Sequence, residues 1–114
     1  MRGKRRRSAT GSVVTVALQG DYGKPRPALI IQSDLFAEMM SVTILPITSE
    51  LRDAPLYRLP LGPSPSNGLR LFSQIMIDKP QSIPRGKIGR VIGQLDDETM
   101  VSVTRLLAVF LGFA

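Results

Sequence analysis

The chain contains no cysteine and no histidine. Without thiols there is no disulfide framework, no thiolate nucleophile and no cysteine zinc site. Without imidazole, proton transfer near neutral pH falls to carboxylates, lysine, arginine, hydroxyls or backbone groups, and most transition-metal sites lose their commonest ligand. No apolar run approaches the roughly 20 residues that span a bilayer. The apolar stretch behind the basic start, SVVTVAL, is too short and too β-branched for a signal peptide. No metal, no cofactor and no membrane are therefore expected, and the cytoplasm is the expected compartment. Aromatics are also scarce, at two Tyr and four Phe, so a single-stranded nucleic acid would find few stacking platforms and would be read mainly through hydrogen bonds to base edges.

Positive charge is what the chain does have. At 114 residues it is long enough for one core and too short for two. Its net charge of +6 and pI near 10.5 point to an anionic partner, nucleic acid before membrane. Five of the fifteen basic residues lie in RGKRRR at the start. Residues 1–10 therefore read as a basic, disordered arm, and residues 11–114 as the folded domain.

Hydrophobic alternation predicts strands over residues 12–18, 27–32, 41–48, 56–61 and 71–78. A short capped helical turn follows Ser33, and GPSPSNG, residues 62–68, carries the chemistry of a hairpin connection. The segment KPQSIPRGKIGRVIG mixes a short strand ending with a turn. Asp96 and Asp97 cap a terminal helix in which Met100, Val103, Thr104, Leu107, Phe110 and Leu111 form one stripe, and Gly112 stops it. A second stripe, Leu106, Val109 and Phe113, leaves the last turns apolar on nearly every side and suits a partner. Five or six short strands with one terminal helix predict a mainly β (α+β) fold, a small bent antiparallel sheet or barrel.

The stretch GDYGKPRPALIIQSD, residues 20–34, places Asp21, Lys24 and Arg26 within six positions at the mouth of a strand. Pro25 and Pro27 flank Arg26 and bias its surroundings to extended geometry, which aims a guanidinium fork suited to phosphate. Spacing alone also fits an ordinary solvated hairpin loop. Thr48 and Ser49 read either as phosphate-binding hydroxyls or as turn and cap residues. Gln74 reads either as an RNA contact or as a solvent-facing strand residue, and Asp78 as a contact or a turn former before Lys79.

Taken together, GDYGKPRPALIIQSD, ILPIT with Ser49, PSNGL, SQIMIDK and IGRVIGQLDDETMVSVTRLLAVFLGF resemble the MazF/PemK family of toxin endoribonucleases over roughly residues 11–114. The resemblance implies an SH3-like barrel of the type shared with CcdB gyrase poisons, a homodimer, and neutralisation by a cognate antitoxin. It also implies metal-independent cleavage of single-stranded RNA to a 2′,3′-cyclic phosphate and a 5′-hydroxyl. It assigns catalysis to Arg26 and Thr48, with Asp21 at the position of a substrate-facing acid; Tyr22 is then the best stacking candidate, and Lys24, Ser49, Gln74, Asp78 and Lys79 are the remaining candidate RNA contacts. Some relatives place an Arg two residues before the Asp matched by Asp78, where this chain has Met76. The alternative reading is a non-enzymatic binder on the same fold, either a gyrase poison or an RNA-binding module.

Overall fold

The computed structural model describes residues 9–17 and 24–114. Seven strands occur among them: β1 (Ser12–Val16), β2 (Arg26–Ile30), β3 (Ser41–Thr48), β4 (Arg58–Leu61), β5 (Ser73–Met76), β6 (Gln81–Pro84) and β7 (Ile88–Gln94), followed by helix α1 (Asp97–Phe110). Every pairing is antiparallel, in the order β4-β5-β3-β2-β1-β7, with β6 also on β3.

β3 is the hinge of this sheet. Its first half pairs with β6, ending at Ile44↔Gln81, and its second half pairs with β5, beginning at Ile47↔Ile75. Pro46 lies at the changeover. Having no N–H, it leaves no donor stranded where one partner stops and the next begins. Strand alternation sends the two faces of the bent sheet into two cores. Val13, Leu29, Leu45, Ile47, Ile75 and Ile77 gather with Leu95 and Val103 of the helical end. Val14, Val16, Ala28, Ile30, Val42, Ile44 and Ile83 form the second cluster on the opposite face. Each Val, Leu or Ile side chain so buried contributes about 1.5–3 kcal/mol.

The 41–48 strand stands where the pattern puts it, whereas the others are shorter than expected. Leu71 and Phe72 precede β5 and are exposed, and the strand expected from residue 56 begins at Arg58. The segment after Lys79 contains two strands, β6 and β7, joined by a 3-10 turn over Arg85–Lys87. The expectation of one short strand and a turn is thus corrected: IGRVIG is the strand that pairs with β1.

Asp96 caps α1 by accepting a hydrogen bond from the Thr99 N–H at 2.9 Å. Hydrogen bonds from the Thr99 side chain and then its backbone hold the Asp96 carboxyl below the usual carboxylate range. Asp97 and Glu98 further suit the positive end of the helix. The expected stripes redistribute. Val103 is buried, Met100, Leu106 and Leu107 pack on the first core, and Phe110, Leu111, Val109 and Phe113 are exposed. Among the described residues, no helix is long and apolar enough to cross a membrane.

Candidate functional site

The strand registers bring distant residues into one row. β2 and β3 pair as Ala28↔Pro46, Leu29↔Leu45 and Ile30↔Ile44, so that paired numbers sum to 74. That ladder ends at Ala28↔Pro46, and Arg26 at the start of β2 and Thr48 at the end of β3 each lie two residues beyond it, at the same end of the two strands. On the other side of β3, Thr48 is paired with Gln74, and Gln74 with Pro60. Thr48 and Gln74 thus stand side by side on β3 and β5, about 5 Å apart at the backbone, and Arg26 extends the row at the adjoining end of β2. By alternation they lie on the face away from the helical core, since Ile47 and Ile75 point into it.

The loop leaving β3 is held from below. Thr48 Oγ1 accepts a hydrogen bond from the Glu50 N–H at 3.0 Å. With a lone pair so occupied, its own O–H is the group available to donate towards a ligand oxygen. Gln74 is buried, and its amide grips the Arg52 backbone twice: Oε1 accepts from the Arg52 N–H at 3.1 Å, and Nε2 donates to the Arg52 carbonyl at 2.9 Å. Arg58, also buried, donates from Nη1 to Gln74 Oε1 at 2.8 Å and to the Glu50 carbonyl at 3.1 Å. Residues 49–52 are therefore positioned through Glu50 and Arg52, while the Ser49 and Arg52 side chains are exposed beside the row.

Arg26 and Lys24 are exposed at the entrance of β2. Asp78 lies in the turn that follows β5, where the Lys79 N–H bonds the Met76 carbonyl at 3.2 Å. Its Oδ2 lies 3.7 Å from Lys79 Nζ, and its Oδ1 is buried without a partner. The structure thus brings Thr48, Ser49 and Gln74 together, with Arg26 at the adjoining end of β2, and sets Asp78 and Lys79 apart in and after the turn that ends β5. Asp21 and Tyr22 lie outside the described residues. Met76 stands opposite Arg58. Arg52 and Arg58 escaped the sequence reading; the signal for Arg58 was a lone cation within the apolar run LYRLPL, which becomes meaningful only once β4 is registered on β5. Among the described residues, no group of three or more Asp, Glu, His or Cys is arranged to hold a metal.

Residues 9–111 match the family model described as the PemK-like, MazF-like toxin of type II toxin-antitoxin systems. A probable endoribonuclease MazF from Mycolicibacterium smegmatis is 46% identical over 105 residues, covering 91% of this chain and 96% of that protein. Among solved structures, the Mycobacterium tuberculosis toxin MazF-mt6 superposes with a TM-score of 0.78 at 25% identity, covering 90% of this chain and 98% of that one. A MazE-MazF complex from Deinococcus radiodurans contains a chain of the same fold, with a TM-score of 0.76 at 19% identity and coverage of 94% and 97%.

Proposed function

Because the chain belongs to the PemK-like, MazF-like toxin family, we propose that it is an endoribonuclease toxin that cuts single-stranded RNA and is silenced by a cognate antitoxin. The observation that carries the site assignment is the placement of Arg26 and Thr48 at the same end of the adjoining strands β2 and β3, above a stapled loop. A non-enzymatic binder of the same fold has no need of a guanidinium and a donor hydroxyl at the same end of two paired strands.

The chemistry follows from the residue types. The ribose 2′-oxygen attacks the adjacent phosphorus as its proton leaves. The P–O5′ bond breaks, and a proton passes to the departing 5′-oxygen, giving a 2′,3′-cyclic phosphate and a 5′-hydroxyl. Arg26 supplies a permanently charged fork to the phosphorane oxygens, and the Thr48 O–H donates to one of them. Asp21 is the acid nearest in sequence for the proton steps. Lys24, Ser49 and Tyr22 border the strand through its backbone and bases, and Asp78 and Lys79 meet it further along. The working molecule is a homodimer in the cytoplasm.

End analysis of the products tests this reading. An RNA cut once by the wild-type protein should yield a 2′,3′-cyclic phosphate, persist in EDTA, and resist cutting when the ribose at that position is 2′-deoxy. A 5′-phosphate product, or activity lost with chelator, points instead to a metal-activated water and removes the roles given to Arg26 and Thr48.

A further inference from the structure

Among the described residues, no ion pair neutralises the buried charge of Arg58. Only 4% of the residue is exposed. Its Nη1 bonds two neutral oxygens, Gln74 Oε1 and the Glu50 carbonyl. Its Nε is buried with no partner, and among the described residues no ion pair includes it. A guanidinium keeps its proton under all ordinary conditions. Buried cations are normally paired, because an unpaired one is strongly disfavoured. Were Arg58 only a clip for the 49–52 loop, a neutral donor would do the same work without that penalty.

The location supplies the missing anion. Arg58 bonds Gln74, and Gln74 is the cross-strand neighbour of Thr48. A phosphate bound at Thr48 therefore comes within on the order of 10 Å of the guanidinium, a range over which exposed charges are screened and buried ones much less so. We propose that Arg58 is a positioning residue that acts through Gln74 and the Glu50 carbonyl. Its buried charge sets a fixed positive field under the row, which favours a doubly charged phosphorus centre over the singly charged phosphodiester of the substrate. This rests on the reading of the row as an RNA-cleaving site. Field of this kind acts on the transition state more than on the bound substrate, because negative charge grows at phosphorus as the 2′-oxygen attacks.

The test compares wild type with Arg58→Met, Arg58→Lys and Arg58→Gln, the last keeping a donor towards Gln74 or Glu50 while removing the charge. The probe is the 5′ fragment of a wild-type digestion, prepared with a 3′-phosphate or a 3′-hydroxyl and titrated at pH 8, where the phosphomonoester is a dianion. Wild type should prefer the 3′-phosphate form, and that preference should shrink about fivefold in Arg58→Met and Arg58→Gln and less in Arg58→Lys, the remainder coming from Arg26 and Thr48. In cleavage, kcat should fall roughly tenfold in the uncharged variants with KM changed less than about threefold, below the 10²–10³ lost with a directly bonded donor. A loop clip alone would weaken both probe forms alike and leave their ratio untouched. An unchanged ratio in Arg58→Gln, or equal loss in Arg58→Lys and Arg58→Gln, overturns the proposal. Should Arg58→Met fail to fold, the Gln and Lys variants carry the same comparison. A wild-type protein that cuts no RNA overturns the reading of the row itself, and the role of Arg58 with it.

Discussion

Gly93 lies against the backbone of Asn67, so close that a Cβ on residue 93 would fall 2.3 Å from the Asn67 carbonyl carbon. Asn67 is itself fixed, since Oδ1 accepts from the Ser64 and Leu69 N–H groups and Nδ2 donates to the Gly62 carbonyl. Gly68 beside it takes φ +72, and the Gln94 N–H bonds the Ser66 carbonyl. The 62–68 loop thereby clamps β7. Gly93→Ala should lower stability by about 1–3 kcal/mol or more through overpacking against backbone. Gly86→Ala, where an added Cβ meets nothing within 4 Å, should stay within about 0.5 kcal/mol. Denaturant titration of the two variants decides the matter, and equal midpoints would contradict the clamp.

Arg26→Ala should reduce cleavage by roughly 10²–10³ while leaving the fold intact, because Arg26 opens β2 and is exposed. Thr48→Val removes both the hydroxyl acceptor for Glu50 N–H and the donor towards phosphate, and should cost roughly tenfold to a hundredfold. Thr48→Ser keeps both and should recover most of the rate. Single-turnover cleavage by folded variants is the measurement, and wild-type rates in Arg26→Ala would exclude it from the mechanism.

Gln74→Glu should separate stability from activity. The carboxylate can still accept from Arg52 N–H and would pair with the buried Arg58, which offsets the lost Nε2 donor to the Arg52 carbonyl, so the midpoint of unfolding should change little. Cleavage should fall by about tenfold or more, since a negative charge then stands beside the place of the phosphate. A stable variant of undiminished rate would contradict the electrostatic reading of the row.

The Asp96 cap predicts a defined response to acid. Its carboxyl is held low in the folded state by Thr99. The associated stability is present above the carboxyl's unfolded pKa of about 3.9 and is lost as pH falls through the lower folded value. Asp96→Asn keeps an acceptor for Thr99 N–H but cannot titrate, so its helix signal should show less pH dependence below about pH 4. Circular dichroism titrations of the two proteins give the comparison.

Phe113 is 80% exposed at the end of α1, with Val109 and Phe110 exposed nearby. Phe113→Asp should therefore leave monomer stability within about 0.5 kcal/mol and weaken self-association or antitoxin binding. Sedimentation and antitoxin titration read the effect, and no change in either would release this end of the helix from a binding role.

Different parts of the molecule were legible in the sequence to different degrees. Residues 41–48 alternate cleanly and stand as a strand of that length, and Asp96 with Gly112 brackets α1 because caps are local chemistry. β7 was hidden because the residue its packing requires, Gly93, is one that strand propensity penalises, and because PRGK before it reads as a turn. That Arg26 and Thr48 come to the same end of β2 and β3 follows only from strand pairing, a relationship across 22 positions that local pattern does not encode. Arg58 was less visible still: its significance lies in what it fails to touch, and burial is a property of the assembled sheet. The helix stripes misled over Leu106 and Phe110 because both fit an apolar face, and which of them the core covers depends on where the sheet ends beneath α1.

β1 pairs with β7 from Ser12↔Gln94 to Val16↔Ile88, so the first strand finds its outer neighbour only in the last one. During synthesis, a ribosome that has emitted β2, β3 and β5 has exposed every member of the Arg26, Thr48 and Gln74 row, yet β1 still presents an unpaired edge and the first core lacks Leu95 and Val103. Non-local closure of this kind is slow and arrives late. A chain cut short before residue 88 therefore holds the parts of the site without the frame that keeps them in register, so a stalled or truncated product should be far less dangerous to the cell that makes it than the finished protein.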